Sequence, residues 1–452
     1  MKKFLWLLLA GLMFCGNISA QDTNNLPDWL TRPLSLTDCL NLSLQQNATI
    51  LKGRSDLEAS YGVVVQTRAI ALPQLQATGQ FKSTDPDAIE DFPGTTLPHN
   101  NWNSSVQISQ SIYDGGKMIA AVRAAKVTKE QALAQYQTVI SDTLLAVRIA
   151  YADVLLGEQQ IIVQEASVNL LQRELDDQKH RYDAGTVPKF NVLRAEVAVA
   201  NQRPLLIQAR NNYRIAKNNL CILLGYNLPR NVWEDIPLTL TDKLDDAPYQ
   251  INLPDAIQHA LATRTELVVL QKNQELQKLN IVNAKAGYKP NLQLFAGYGW
   301  YNAQFTEPVV VGHDIHGWNA GAQLSWDIFD GMLTYGKVTQ AKALYEKSKT
   351  DVEDKGRQIE LEVRTAYSDF IEAQEVLDSQ KTVQAEAEES LREAKARADA
   401  GTGTQLDVLD AETSLTQART TQVQALHDYD TARARLERAI GENMIQTTTS
   451  KP

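Results

Sequence analysis

With 452 residues and a net charge of −10, the chain is long enough for more than one core and too acidic to favour nucleic acid. A mean hydropathy of −0.31 argues against a bundle of membrane helices. The one long apolar run is at the start: Lys2-Lys3, then Phe4 through Cys15, then Ile18-Ser19-Ala20 before Gln21. That layout predicts a secretory signal peptide over residues 1–20. Lipidation at Cys15 is the alternative, but Met13-Phe14 is too bulky for the small residues a lipobox wants before its cysteine. The other cysteines, Cys39 and Cys221, read as small buried apolar side chains. Their pairing in an oxidising compartment is left open by sequence. No metal or cofactor site is predicted around them.

Residues 21–33, with Pro27 and Pro33, read as an extended arm. Leu36-Thr37-Asp38 opens an amphipathic helical region reaching about Ala71, with Thr37 as its N-cap. At Pro73 the period drops to two. Leu75, Ala77, Gly79 and Phe81 alternate with Gln74, Gln76, Thr78, Gln80 and Lys82. After a loop rich in Asp, Pro and Gly, Trp102, Val106, Ile108 and Ile112 take one face, and Asn103, Ser105, Gln107, Ser109 and Ser111 the other. From Gly115 to Asp183 the pattern is helical and free of proline. Leu133, Ile140, Val147, Val154, Ile161, Val168 and Leu175 recur every seven residues there, a coiled-coil seam. The pattern stops at Ala184-Gly185-Thr186, and a return helix follows from about Phe190 to Leu224, with Pro204 expected to kink it.

Residues 226–250, with Pro229, Pro237 and Pro248, form a linker, after which the plan repeats. Leu253-Pro254-Asp255 opens a helix and Pro290 leads into strands. Leu292, Leu294, Ala296, Tyr298 and Trp300 alternate with polar and glycine residues, a row that Phe295 breaks. Trp318 to Ile328 alternates again, and His313 and His316 are expected in the loop between these strands. Val363, Phe370, Leu377 and Leu391 continue the heptad, interrupted at Gln384. Asp399-Ala400-Gly401-Thr402 stands 216 residues after Asp183-Ala184-Gly185-Thr186, and Leu406 to Ile440 forms the second return helix. The same offset relates Tyr113-Asp114-Gly115 to Phe329-Asp330-Gly331 and Val147-Arg148 to Val363-Arg364. A period this long is a duplicated half, not a solenoid unit. The chain thus divides into a signal peptide (1–20), a first repeat (21–225), a linker (226–250), a second repeat (251–441) and a tail (442–452).

Strands of about ten residues, aromatic toward their ends, suit a tilted crossing of an outer membrane. Four strands do not close a barrel, since the smallest known need about eight, so several chains must share one. A polar lumen favours three chains and twelve strands.

Taken together and in this order, the duplicated Leu-x-Asp openings, the Pro73 and Pro290 strand entries, Tyr113-Asp114-Gly115-Gly116, the Val-Arg-x-Ala-Tyr pairs and the Ala-Gly-Thr tips resemble the TolC-like family of outer-membrane efflux channels. That resemblance covers essentially the whole chain after residue 20. It implies an α+β membrane protein: a homotrimer whose 12-stranded transmembrane β-barrel, four strands per chain, continues into a long periplasmic α-helical coiled-coil barrel. It also implies partners, namely outer-membrane lipid, a periplasmic adaptor and, through it, an inner-membrane pump. In the family an Asp-Val-Leu-Asp segment lines the closed periplasmic mouth, which points here to Asp407 and Asp410 as the pore gate. The first-half copy has Asn191 and Arg194 instead, and Arg194 is the candidate gate partner. Gly185, Thr186, Gly401 and Thr402 are the expected adaptor-contact tips. The family's upstream gate Tyr and Arg are replaced here by Ala398 and Gly403.

No catalytic motif sits on a strand–helix turn, so an enzyme is not expected. The competing reading is a cell-surface or periplasm-spanning coiled-coil protein without a channel. It accounts for the heptads but not for strands inserted at the same point of both halves. Drug efflux and type I secretion share such a duct, and the sequence does not choose between them.

Overall fold

The computed structural model describes residues 27–85, 87, 100–228, 235–244, 246–305 and 311–442. The signal peptide with Cys15, most of the β1–β2 loop and all but the first residue of the tail lie outside them. The elements in chain order are α1 (Leu36–Gln46), α2 (Ala48–Ala69), β1 (Gln74–Ser83), β2 (Asn100–Tyr113), α3 (Lys117–Asp183), α4 (Lys189–Leu223), α5 (Leu253–Thr263), α6 (Thr265–Lys285), β3 (Asn291–Phe305), β4 (Val311–Ser325), α7 (Leu333–Asp399) and α8 (Gln405–Ile440). The duplication is visible in the elements. The two outgoing helices, α3 and α7, are both 67 residues, roughly 100 Å each.

Two compact units cut across the repeats. Among the described residues, one comprises those up to Leu42, Ala150–Asp245 and Gln380–His427, the other Ser43–Ile149, Asp246–Ser379 and those from Asp428 on. The second unit holds the sheet, a single antiparallel array in the order β1-β2-β3-β4. Its register brings Ala77, Val106, Tyr298 and Trp318 into one row, and Phe81 opposite Trp102. The alternation read from sequence therefore agrees between strands, and one face is predominantly apolar, interrupted by Ser104, Gln110 and His316. Among the described residues nothing covers Trp318 on that face, and it is 79% exposed. Phe295, the residue that breaks the polar row, lies over Gly321 of the facing strand, where a Cβ would come within 2.9 Å of its ring.

Several boundaries differ from the sequence reading. Helix one is capped by Ser35, not Thr37: Ser35 Oγ accepts from Asp38 N at 3.2 Å, and Asp38 Oδ2 accepts from Ser35 N at 3.2 Å and from its hydroxyl at 2.8 Å. The single helix expected to Ala71 is broken at Asn47, whose side chain caps α2 through Thr49 N (2.8 Å) and Ile50 N (3.3 Å). The second half breaks 217 residues later, at Arg264, in extended backbone between α5 and α6. β4 ends at Ser325, short of the predicted Ile328, where Trp326 Nε1 turns to donate to Tyr288 O (3.2 Å). His313 and His316 are in β4, not a loop, paired in register with Ala303 and Trp300. In agreement with the sequence reading, Pro204 lies inside α4.

Around the Arg264 break, α3, α6, α7 and α8 bury a charge network. Arg264 donates to Glu266 (2.9 Å), Glu362 (2.8 Å) and Ala439 O (3.1 Å), while Arg438 binds Asp142 and Glu266, both at 2.6 Å. Fully buried Glu437 pairs with Arg148 and Arg433. In the other unit the arm is not simply extended. A short turn over Asp28–Leu30 sets Trp29 edge-on to Tyr226, and Leu34 bridges Leu240 of the linker. Tyr151, from the Val-Arg-x-Ala-Tyr motif, clamps that bridge by donating to Leu34 O (3.2 Å) and Asp242 (3.0 Å).

Four of the seven predicted heptad residues of α3 take the seam only in part or not at all. Val147, Val154 and Leu175 are buried, but Leu133 is exposed within the chain. On α7, Val363, Phe370, Leu377 and Leu391 are all buried.

Candidate functional site

Both hairpin tips lie in the first unit and have the same backbone chemistry. α3 ends with Gly185 at φ +74° and α7 with Gly401 at φ +72°, the left-handed conformation that glycine takes without strain. The threonine that follows closes each turn. Thr186 N and Oγ1 both donate to Arg181 O, at 2.9 and 2.8 Å, and Thr402 N and Oγ1 to Arg397 O, at 2.9 and 3.3 Å. These hydrogen bonds satisfy carbonyls that a helix end otherwise leaves open. Gly185, Thr186, Gly401 and Thr402 are all exposed.

The starts of the return helices differ. α8 opens with a reciprocal cap: Thr404 N and Oγ1 both donate to Asp407 Oδ2 at 2.8 Å, and Asp407 N donates to Thr404 Oγ1 at 3.3 Å. α4 opens on Pro188 with no side-chain cap, since Pro188, which has neither a backbone N–H nor a hydroxyl, stands where Thr404 does. Asp407 thus has a structural partner that the gate reading did not include. Thr404-Gln405-Leu406-Asp407 carries the capping-box spacing in plain view. Hydrogen bonds from the Thr404 backbone and hydroxyl, together with Arg397, hold the Asp407 carboxyl below the usual range. Asp410 is exposed one turn further on, its side chain directed to solvent on the same helix.

Arg194, half-buried on α4, lines a cleft of ≈ 730 Å³ with Arg181, Lys395, Asp399 and Thr404. Among the described residues it forms no ion pair within the chain. The pair that ties the two tips together is Arg181, held by Asp177 (2.7 Å) and reaching Asp399 (3.2 Å). Sequence reasoning missed it, because an exposed Arg and Asp 218 positions apart look like two ordinary surface charges. A second missed set is duplicated. Lys179–Glu196 (3.9 Å) recurs 216 residues on as Lys395–Glu412 (3.1 Å). Apolar packing supports both tips, with Leu171, Leu175, Val192, Ala195, Val199 and Leu409 in one cluster, and Leu391, Val408, Ala411 and Leu415 in another.

Comparison with known proteins agrees with this geometry. Residues 39–226 and 256–442 match the family model described as outer membrane efflux protein. The chain is 25% identical over 453 residues to outer membrane protein TolC of Escherichia coli (strain K12), covering 98% of this chain and 87% of that protein. It is 24% identical over 427 residues to the alkaline protease secretion protein AprF of Pseudomonas aeruginosa, covering 89% and 83%. The Campylobacter jejuni CmeC outer membrane channel superposes with a TM-score of 0.76 at 16% identity, over 92% of this chain and 88% of that one. A four-stranded antiparallel sheet, paired 67-residue helices and a family match over both halves lead to one placement: the chain belongs to the outer membrane efflux protein family, with that family's fold of a four-strand barrel contribution joined to long helical hairpins.

Proposed function

We propose that the chain is the outer-membrane exit duct of a tripartite efflux or type I secretion system, a passive channel and not an enzyme. Three copies share a twelve-stranded barrel in the outer membrane, and their helices extend into the periplasm toward an adaptor and an inner-membrane pump. The observation that carries this reading is the sheet: four strands with one predominantly apolar face, left uncovered by the other described residues, inserted between long helices. A coiled-coil stalk has no use for such a sheet. Secretion of a protease is what the name of AprF says of that protein, and efflux is the family's description. Both are served by the same kind of duct. Reconstitution in planar bilayers tests the reading: discrete conductance steps are expected, and a preparation that inserts without conducting overturns it.

Within this reading Asp407 and Asp410 ring the periplasmic mouth, with Arg194 opposite them, and the Gly185 and Gly401 tips meet the adaptor. Support comes from the exposure of both carboxylates at the start of α8 and of all four tip residues. Rings of Asp favour cations in a narrow passage. Asp407→Asn with Asp410→Asn is expected to shift the reversal potential in a salt gradient toward zero and to weaken block by divalent cations. An unchanged reversal potential and unchanged block remove these two residues from the constriction. Cysteines at Lys189 or Gln405 should crosslink to the adaptor. Crosslinking confined to the Gly115 end reverses the orientation.

A further inference from the structure

Glu412 is a tip carboxylate whose chemistry conflicts with its surroundings. It is 2% exposed, and neither carboxylate oxygen receives a well-directed hydrogen bond. On α8 it lies between Val408, Ala411 and Leu415, which pack with Leu391 of α7, and Leu409, which packs with Leu171 and Leu175 of α3 and Val192, Ala195 and Val199 of α4. Its compensation is Lys395 of α7, Nζ to Oε1 3.1 Å. The repeat supplies an internal control: the equivalent Lys179–Glu196 pair is at 3.9 Å with Glu196 47% exposed. The same pair was thus kept in water in one hairpin and moved into the apolar packing of the other.

The charges facing Glu412 are few. α7 contributes Lys395. α3 contributes Glu174, whose carboxylate accepts from Gln178 (2.9 Å). α4 brings aliphatic residues to Leu409, and its acid Glu196 is turned to Lys179. On α8 itself, Asp410 is exposed and Arg419 is taken by Glu388 (2.9 Å). Burial pushes the Glu412 carboxyl up from its ordinary value, the close approach and charge of Lys395 pull it down, and the Glu174 charge pushes it up, with a net rise. A carboxyl raised by packing favours the packed state while it is protonated. That contribution is lost as the pH rises through its folded-state value.

We propose that Glu412, with Lys395, is a proton-operated latch in the second hairpin tip: neutral, it lets α8 pack fully against α3 and α7, and charged, it loosens that packing. As a control on the duct mouth, the latch rests on the function proposed above. Acidification then tightens the tip, and a rise in pH loosens it.

Hydrogen–deuterium exchange of amides 405–415 tests the latch on the full-length protein in detergent, and comparison of variants at each pH removes the intrinsic pH dependence of exchange. From about pH 7.5 to about pH 5, wild type is expected to gain about fivefold protection there, about 1 kcal/mol. Glu412→Gln should hold the higher protection at both pH values, and Glu196→Gln should follow wild type. Lys395→Met, which leaves the charge unpaired, should show lower protection than wild type near neutrality and a larger gain on acidification. Glu412→Gln tracking wild type overturns the latch, as does Glu196→Gln abolishing the pH response. Bilayer conductance is read in parallel: a fall on acidification that Glu412→Gln removes extends the latch to the pore. If no variant conducts while the exchange pattern appears, the duct reading fails and the packing latch stands.

Discussion

Phe295 shows how a residue can look wrong in sequence and be right in the sheet. It interrupts the polar row of β3 because Gly321, across the register, offers bare backbone for an aromatic ring to cover. The pairing of β3 with β4 was needed to see this, since alternation along one strand carries no information about the neighbour's side-chain volume. The turns into the outgoing helices give a sharper contrast. Asp114 and Asp330 both accept backbone N–H groups four residues on, from Met118 (2.7 Å) and Thr334 (2.8 Å). Where the first half has Gly115 and Gly116, both left-handed, the second has Gly331 and then Met332 at φ +70°. A methionine there carries steric strain that glycine does not, so Met332→Gly is expected to raise stability by about 0.5–1 kcal/mol, read as a higher unfolding midpoint in detergent. Gly115→Ala should do the reverse. Its φ is +72° and a Cβ would come within 2.8 Å of Ala286 O, so a loss of about 2 kcal/mol is expected from left-handed strain and the clash together. A stable Gly115→Ala protein would show that this turn relaxes freely. The duplicated Asp-Gly was legible in sequence. The strain at Met332 was not, because only the fold demands the same backbone from both copies.

At the scale of elements, the long hairpins were plain from heptads and Ala-Gly stops, while the breaks at Asn47 and Arg264 were hidden. Both residues sit inside good helical periodicity, and neither Gly nor Pro marks the place. What breaks the second helix is tertiary. Arg264 leaves the helical conformation and its guanidinium takes Ala439 O at the end of α8 along with Glu266 and Glu362, while Thr263 Oγ1 takes Ile440 O at 3.2 Å. The charges of this network read as a solvated face in sequence, because burial depends on four helices meeting. Arg264→Met should therefore cost about 1–3 kcal/mol, since Ala439 O loses its donor while Glu266 keeps Arg438 and Glu362 keeps Lys355. Asn47→Ala, which removes the α2 cap, should cost about 1 kcal/mol. The network also sets acid sensitivity. Burial opposes ionisation of Glu266, but hydrogen bonds from Arg264 and Arg438 outweigh it and hold the carboxyl at about 2, below the ordinary 4.5. A depressed carboxyl contributes stability above its unfolded value and loses it as the pH falls through the folded one, so the window runs from pH 4.5 down to about 2. Glu266→Gln should flatten the pH dependence of unfolding in that window. An unchanged slope would assign the acid response to other groups.

For the whole molecule, the sheet decides the assembly. Its order β1-β2-β3-β4 leaves one side of β1 and one side of β4 without a strand partner among the described residues. In water such edges are an aggregation hazard; in lipid each unpaired backbone group costs several kcal/mol. The apolar face excludes water as the alternative, since Phe81, Trp318 and Leu324 are each exposed by two thirds or more. The edges must then pair with other copies of the same sheet, β1 of one copy on β4 of the next, around a closed ring. Two copies give eight strands, a bore that side chains fill, and three give twelve. The inward row of Gln74, Gln76, Thr78, Gln80, Asn103, Ser105 and Gln107 is polar and suits water in the wider ring. The expected state is therefore a trimer in detergent, measured by light scattering with the detergent contribution subtracted, that dissociates on heating together with its strand signal. A monodisperse monomer with its strand content intact would mean that these edges are satisfied within one chain. A dimer would keep the ring but fill its bore, and the conductance expected of a duct would vanish with it.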